Sequence, residues 1–140
     1  MEECLFCGIV AGDVPSHTVY ESETARAFLD VNPLARGHTV VVPRDHYERV
    51  DDVPDEVAGG LFRAVTAVVG AVEAAVDAPA STVAFNNGEA AGQEIPHTHC
   101  HVVPRFAGDG AGAVHSLFGS TADLSDGEME TLAETIRSEG

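Results

Sequence analysis

Apolar and polar positions alternate in short stretches along most of the chain, with one long stretch of different period. Val57, Leu61, Phe62, Val65, Val68, Val69, Val72 and Val76 recur at three- and four-residue steps, the spacing of a helix with one apolar face. Pro54 suits its first turn and Pro79 forbids its continuation, so the pattern predicts a helix from about Pro54 to Asp77 with its valine stripe in the core. Thr39-Val40-Val41-Val42 is a compact β-branched run stopped by Pro43, the pattern of a buried central strand. Val19-Tyr20 and residues 25–29 predict a hairpin turning at Ser22-Glu23-Thr24, and residues 81–85 predict a further strand. Residues 4–11 can form a short helix with Gly12 as its stop. The Gly- and Ala-rich residues 106–121 predict a loop, and Ser125-Asp126-Gly127-Glu128 has the form of a capping box opening an acidic C-terminal helix.

The remaining strand carries unusual residues. His97-Thr98-His99-Cys100-His101-Val102-Val103, ended by Pro104, puts imidazoles at every second position. In a strand the side-chain period is two, so the three histidines would share one face. Each can act as nucleophile, proton donor or metal ligand near neutral pH. The preceding loop, residues 86–94, contains glycines that let backbone N–H groups turn toward an anion beside that row.

Composition narrows the class. The 140 residues suit one domain, without repeat or linker, and are 44% hydrophobic and 21% charged. No apolar run reads as a membrane span, and Met1-Glu2-Glu3 is acidic where a secretion signal would be basic. A cytoplasmic protein is the expectation. Twenty-three acids against seven bases, all Arg, give a net charge of −16, which repels nucleic acid and anionic membranes. An acidic chain without Lys resembles proteins of halophilic organisms, in which salt screens self-repulsion. Arg105 or backbone N–H groups are further candidates to offset the acidity around an anionic substrate.

An oriented neutral imidazole can attack phosphorus, and a second can hydrogen-bond the phosphate or its leaving group. His-x-His pairs also ligate metals, and spacing alone leaves both uses open. Cys4 and Cys7 form a CxxC, half of a tetrahedral zinc site, which His17, His38, His46, His97, His99, His101 or His115 could complete. Cys100, on the opposite face of the histidine row, reads as a small buried hydrophobe.

The histidine row, with Asn86 and Gly92-Gln93 upstream, resembles the signature of the histidine triad (HIT) family. Residues 4–12, Pro15, residues 27–33, Gly37-His38-Thr39, residues 42–46 and Val103-Pro104-Arg105 follow its Hint-like branch in order. The resemblance implies an α+β fold, a five-stranded antiparallel sheet with one long and one short helix, joined as a ten-stranded sheet in a homodimer. The HIT domain would be the whole of 1–140, with its core at about 3–106 and a loop and acidic helix in 107–140.

The resemblance also implies a hydrolase or transferase that cleaves the bond to the α-phosphate of purine nucleotides, of nucleoside phosphoramidate or dinucleoside polyphosphate type. A nucleotide- or partner-binding regulatory module with residual activity is the alternative. By position, His99 is the nucleophile, His101 its assistant and His38 a supporting histidine. Asp30 matches a ribose-binding carboxylate, and Leu5, Phe6, Ile9, Phe28 and Val31 match the wall of the base pocket. Asn86, Gly92, Gln93 and Glu94 match the phosphate loop, with Glu94 standing where other members have a hydroxyl. Prokaryotic members with CxxC hold structural zinc at the positions of Cys4, Cys7, His46 and His97.

Overall fold

The computed structural model describes residues 4–140, so the acidic start Met1-Glu2-Glu3 and the first residue of the expected 3–106 core lie outside it. The chain divides into a larger unit ending at Asp109 and a smaller one, Gly110–Gly140. The larger unit runs α1 (Leu5–Ala11), β1 (Thr18–Glu21), β2 (Ala25–Leu29), β3 (Thr39–Pro43), α2 (Asp55–Val76), β4 (Ala80–Phe85) and β5 (Cys100–Arg105). All strands pair antiparallel in one sheet of order β1-β2-β3-β5-β4. This is the α+β sheet that the resemblance implies. In the smaller unit, α3 (Asp126–Glu139) opens with the expected box: Ser125 Oγ accepts from Glu128 N–H at 3.1 Å, and Glu128 Oε1 accepts from Ser125 N–H at 2.9 Å.

Period-two alternation divides the sheet into two faces. Ala25, Ala27, Val41, Cys100 and Val102 pack against Leu61, Ala64, Val65, Val68 and Val72 of α2. On the other face Phe28, Val40 and Val42 pack against Phe6 and Ile9 of α1. The valine stripe is core, but Phe62 is 66% exposed. It lies one position past Leu61, about 100° round the helix and off the buried face. Contrary to the expectation from apolar runs, α2 has the length and hydropathy of a membrane span, with 22 residues and a mean of 1.5. Its Leu61–Val72 face is instead filled by the sheet.

Pro43 ends β3 as its last residue, whereas Pro104, expected to end the histidine strand, lies inside β5, which runs on to Arg105. Pro43 pairs with Ala25, and Pro104 pairs with Ser81. The β3–β5 ladder runs only from Thr39↔Val102 to Val41↔Cys100. Each proline therefore sits past that ladder, where one side of its strand needs no donor.

Helix α1 is short and is fixed at both ends. Cys4 caps its start, its sulfur accepting from Cys7 N–H at 3.3 Å. Gly12, at φ 86°, closes its end in a left-handed turn. The Arg26 guanidinium on β2 donates to the terminal carbonyls of Ile9 at 3.2 Å and Val10 at 2.8 Å, a cation at the negative end of the helix.

The glycines of α2 are not equivalent. A Cβ on Gly60 would collide with the Thr24 side chain at the β1–β2 turn, whereas Gly59 and Gly70 face open space. Gly60→Ala is expected to lower unfolding free energy by about 1–3 kcal/mol. Gly59→Ala and Gly70→Ala should each raise it by about 0.5–1 kcal/mol. Urea denaturation of the three variants measures both.

Candidate active site and metal centre

The histidine row is less regular than a strand would make it. Only His101 lies within β5, while His97 and His99 stand in the segment leading into it. The reason is local hydrogen bonding. Thr98 N–H and Oγ1–H both donate to Tyr47 O, at 2.7 and 2.9 Å, and His99 Nδ1 bonds His97 O at 2.8 Å. These partners lie in loops, not in a neighbouring strand.

Proton positions follow from those partners, because a carbonyl only accepts and a main-chain N–H only donates. His99 Nδ1 must carry a proton to donate to His97 O, which leaves a lone pair on Nε2. His38 Nδ1 accepts from Leu34 N–H at 3.0 Å, so its proton is on Nε2. That proton points to His101 Nδ1 at 3.0 Å, with Asp30 Oδ2 at 3.6 Å. His101 in turn carries its proton on Nε2. The rings of His99 and His101 are 5.0 Å apart, centroid to centroid. A lone pair and an N–H donor thus come from two neighbouring imidazoles.

Burial disfavours the charged forms of His38 and His101. It lowers the pKa of His38, with Asp30 opposing the shift. Burial also lowers that of His101, reinforced by His99 and then His38, again with Asp30 opposing. Asp30 Oδ1 is occupied by the N–H of Asn32 at 2.8 Å.

His97 faces the other way. Its Nε2 donates to Pro43 O at 2.9 Å, leaving the Nδ1 lone pair aimed at sulfur, 3.3 Å from Cys4 Sγ and 3.6 Å from Cys7 Sγ. His46 Nδ1 is 3.4 Å from Cys7 Sγ. Around tetrahedral zinc, with Zn–S about 2.3 Å and Zn–N about 2.0 Å, sulfur and nitrogen ligands stand about 3.5 Å apart. Cys4, Cys7, His46 and His97 therefore fit a four-ligand metal site. With protein neighbours alone, burial and adjacent Cys4 push the Cys7 thiol up to about 11. A divalent cation reverses that preference, since the thiolate is the ligand.

A cavity of about 740 Å³ opens beside the pair. Leu5, Phe6, Ile9, Phe28, Asp30, Val31, His38, Asn86, Gly92, Glu94, His99 and His101 line it, as the sequence suggested. Gln93 does not. Its amide braces two loops instead, donating to Glu48 O at 2.7 Å and Ile95 O at 3.0 Å and accepting from Gly88 N–H at 2.7 Å. Asn87 does similar work, accepting from Val50 N–H at 2.8 Å and donating to Asp51 at 3.1 Å. Arg105 does not line the cavity; it holds Asp109 and donates to Thr82 Oγ1. Thr82 and Ala84 were missed as lining residues. Strand alternation could have placed them, because they pair with Val103 and His101 on the cavity face.

A five-stranded antiparallel sheet with paired histidines at a cavity beside its central strands defines a class, and comparison names it. The family model described as HIT domain matches residues 11–108, and the chain belongs to the HIT family. It is similar to a HIT protein of Bacillus subtilis whose crystal structure superposes with a TM-score of 0.89 at 38% identity, over 98% of this chain and 96% of that one. An adenylylsulfatase of Arabidopsis thaliana is 34% identical over 96% of this chain and 68% of its own length. A zinc-bound histidine triad protein of Mycobacterium smegmatis has a TM-score of 0.73 at 32% identity, covering 98% and 97%.

Two outcomes follow. Purified protein should retain one zinc per chain, lose it in Cys7→Ser, and keep it when His99 and His101 are both replaced by Ala, as elemental analysis would read. Stability should rise from about pH 5 to pH 7, because the unfolded His38, at its ordinary 6.5, binds a proton that the folded state resists. In His38→Asn that rise should be smaller, measured by urea titration across the same range.

Proposed function

We propose that this chain is a hydrolase or transferase that cleaves the bond to the α-phosphate of purine nucleotides through covalent catalysis on His99. One observation carries the reading: the bond from His99 Nδ1 to His97 O, which leaves Nε2 a free lone pair at the cavity. The apolar wall of Leu5, Phe6, Ile9 and Phe28 suits a base, and Asp30 suits ribose hydroxyls. Asn86 and Gly92, the latter at φ 97°, flank the phosphate end.

In the first step the Nε2 lone pair attacks phosphorus and the bond to the leaving group breaks. The leaving atom accepts a hydrogen bond from His101 Nε2–H and departs with a proton from solvent, and His38 on the far side of that ring holds it in place. Water then attacks the nucleotidyl-histidine. It loses a proton to solvent as the nucleotide is released, and His99 is left as it began. Covalent catalysis divides one difficult displacement into two easier ones.

Cys4, Cys7, His46 and His97 would hold zinc as a structural ion. It supplies a fixed anchor and no open coordination position for water. Two copies would pair through the outer strand β4, whose Val83 and Phe85 are exposed, as is Phe62 of α2. The charge of −16 suits a folded state screened by concentrated salt.

His99→Ala is expected to abolish turnover of adenosine 5′-phosphoramidate, a loss of at least about 10³-fold. AMP binding and the thermal melt should persist. Quenched single-turnover reactions should trap a nucleotidyl adduct in His101→Ala but not in His99→Ala. Full turnover by His99→Ala would overturn the reading, and nucleotide binding without turnover by the unmutated protein would favour a binding module.

A further inference from the structure

The cavity that takes an anionic phosphate is itself lined with negative charge. Among the described residues two acids, Asp30 and Glu94, line it, and no Lys or Arg does. The chain has no Lys to offer. Arg105 is engaged by Asp109 and Thr82, and Arg49 pairs with Asp51. The remaining ionisable bases are His38, His99 and His101, and burial disfavours charging His38 and His101.

Asp30 and Glu94 occupy different places. Asp30 follows β2, and its N–H bonds His38 O beside β3. Glu94 belongs to the β4–β5 connection, just beyond Gly92 of the phosphate loop. In the order β2-β3-β5-β4, His101 on β5 separates the two sides. With ribose on the Asp30 side, the group leaving the α-phosphate lies on the side of the phosphate loop and Glu94. Among the described residues no hydrogen-bond or ion-pair partner holds this carboxylate away from the cavity.

We propose that Glu94 selects substrates by the charge of the leaving group, favouring phosphoramidates whose amine portion carries a positive charge and disfavouring polyphosphate or sulfate. This rests on the reading of His99 as nucleophile. The transfer itself is unchanged: the P–N bond breaks as the bond from His99 Nε2 to phosphorus forms, and the amine nitrogen, hydrogen-bonded by His101 Nε2–H, departs with a proton from solvent. Water completes hydrolysis to nucleoside monophosphate and free amine. Glu94 acts on the tail beyond that amine. A unit charge within about 6–8 Å, partly screened by solvent, changes a rate constant by roughly tenfold.

The test compares four substrates: adenosine 5′-phosphoramidates of ethylenediamine and of propylamine, adenylyl sulfate, and a diadenosine polyphosphate. In the unmutated protein at low salt, kcat/KM should favour the aminoethyl over the propyl compound by roughly fivefold to tenfold. About 1 M KCl, where the Debye length is near 3 Å, should reduce that ratio. Glu94→Gln should bring the ratio close to that at high salt and raise kcat/KM for the two anionic leaving groups about tenfold relative to the propyl compound. Glu94→Asp should retain most of the selectivity. A purely structural effect would scale all four substrates together. If Glu94→Gln leaves every ratio unchanged, the assignment of Glu94 fails while the His99 reading stands. If the unmutated protein turns over none of the four, the His99 reading fails and this inference with it.

Discussion

His97 is the residue on which the two halves of the site depend, and it acts through three different atoms. Its Nε2 holds Pro43 O at the end of β3, its Nδ1 faces the two thiols, and its carbonyl receives the proton of His99 Nδ1. The ring is fully buried, so every polar atom needs a partner there. The end of a central strand, the candidate metal centre and the proposed nucleophile are thereby joined in one residue. Phe6, between Cys4 and Cys7, extends the joint by packing edge-on against both His97 and His99, at 5.9 and 5.0 Å between centroids. A helix of only 7 residues would be marginal alone. Held at sulfur, at Arg26 and by Phe6, it forms one wall of the cavity.

The same economy governs the protons. Each imidazole at the cavity has its tautomer set at one end by a fixed group: His99 by His97 O, His38 by Leu34 N–H, and His101 by His38 Nε2–H. The proposed roles need a lone pair on His99 and an N–H donor on His101, and these tautomers supply both. Burial lowers the pKa of His38 and His101, while Asp30 limits the shift. Depth in the fold thus supplies the protonation state, and the loops carrying Leu34 and His97 supply its direction.

Much of this was legible in the sequence, because the signals were periodic or chemically rare. The three- and four-residue spacing located α2, the β-branched run located β3, and the capping box located the start of α3. Histidines two apart and the CxxC marked the residues that the fold brings together. What failed depended on neighbours that a single strand does not reveal. Pro104 lies inside β5 because the β3–β5 ladder is short. His97 and His99 stand outside the strand because Thr98 between them bonds Tyr47 O and His99 bonds His97 O. Phe62 satisfies the apolar count yet points off the buried face, and Gln93 is used by Glu48 and Ile95 rather than by the cavity.

The charge of the cavity also bears on how an anion can be held there. Phosphate sites commonly rely on Arg or Lys, and neither type lines this one. In the proposed reading, binding would rest on neutral donors: main-chain N–H groups near Gly92, whose φ of 97° suits glycine, the Asn86 amide, and His101 Nε2–H. Such donors suit a single phosphoryl group bearing one charge better than a chain of several phosphates. They also suit a transition state in which charge on that group is redistributed while the net charge stays constant. Burial, rather than the surrounding charge, disfavours a permanent ion pair of His38 or His101 with Asp30. An added Lys or Arg would bind the ground-state phosphate more tightly, but that uniform gain would not lower the barrier from bound substrate.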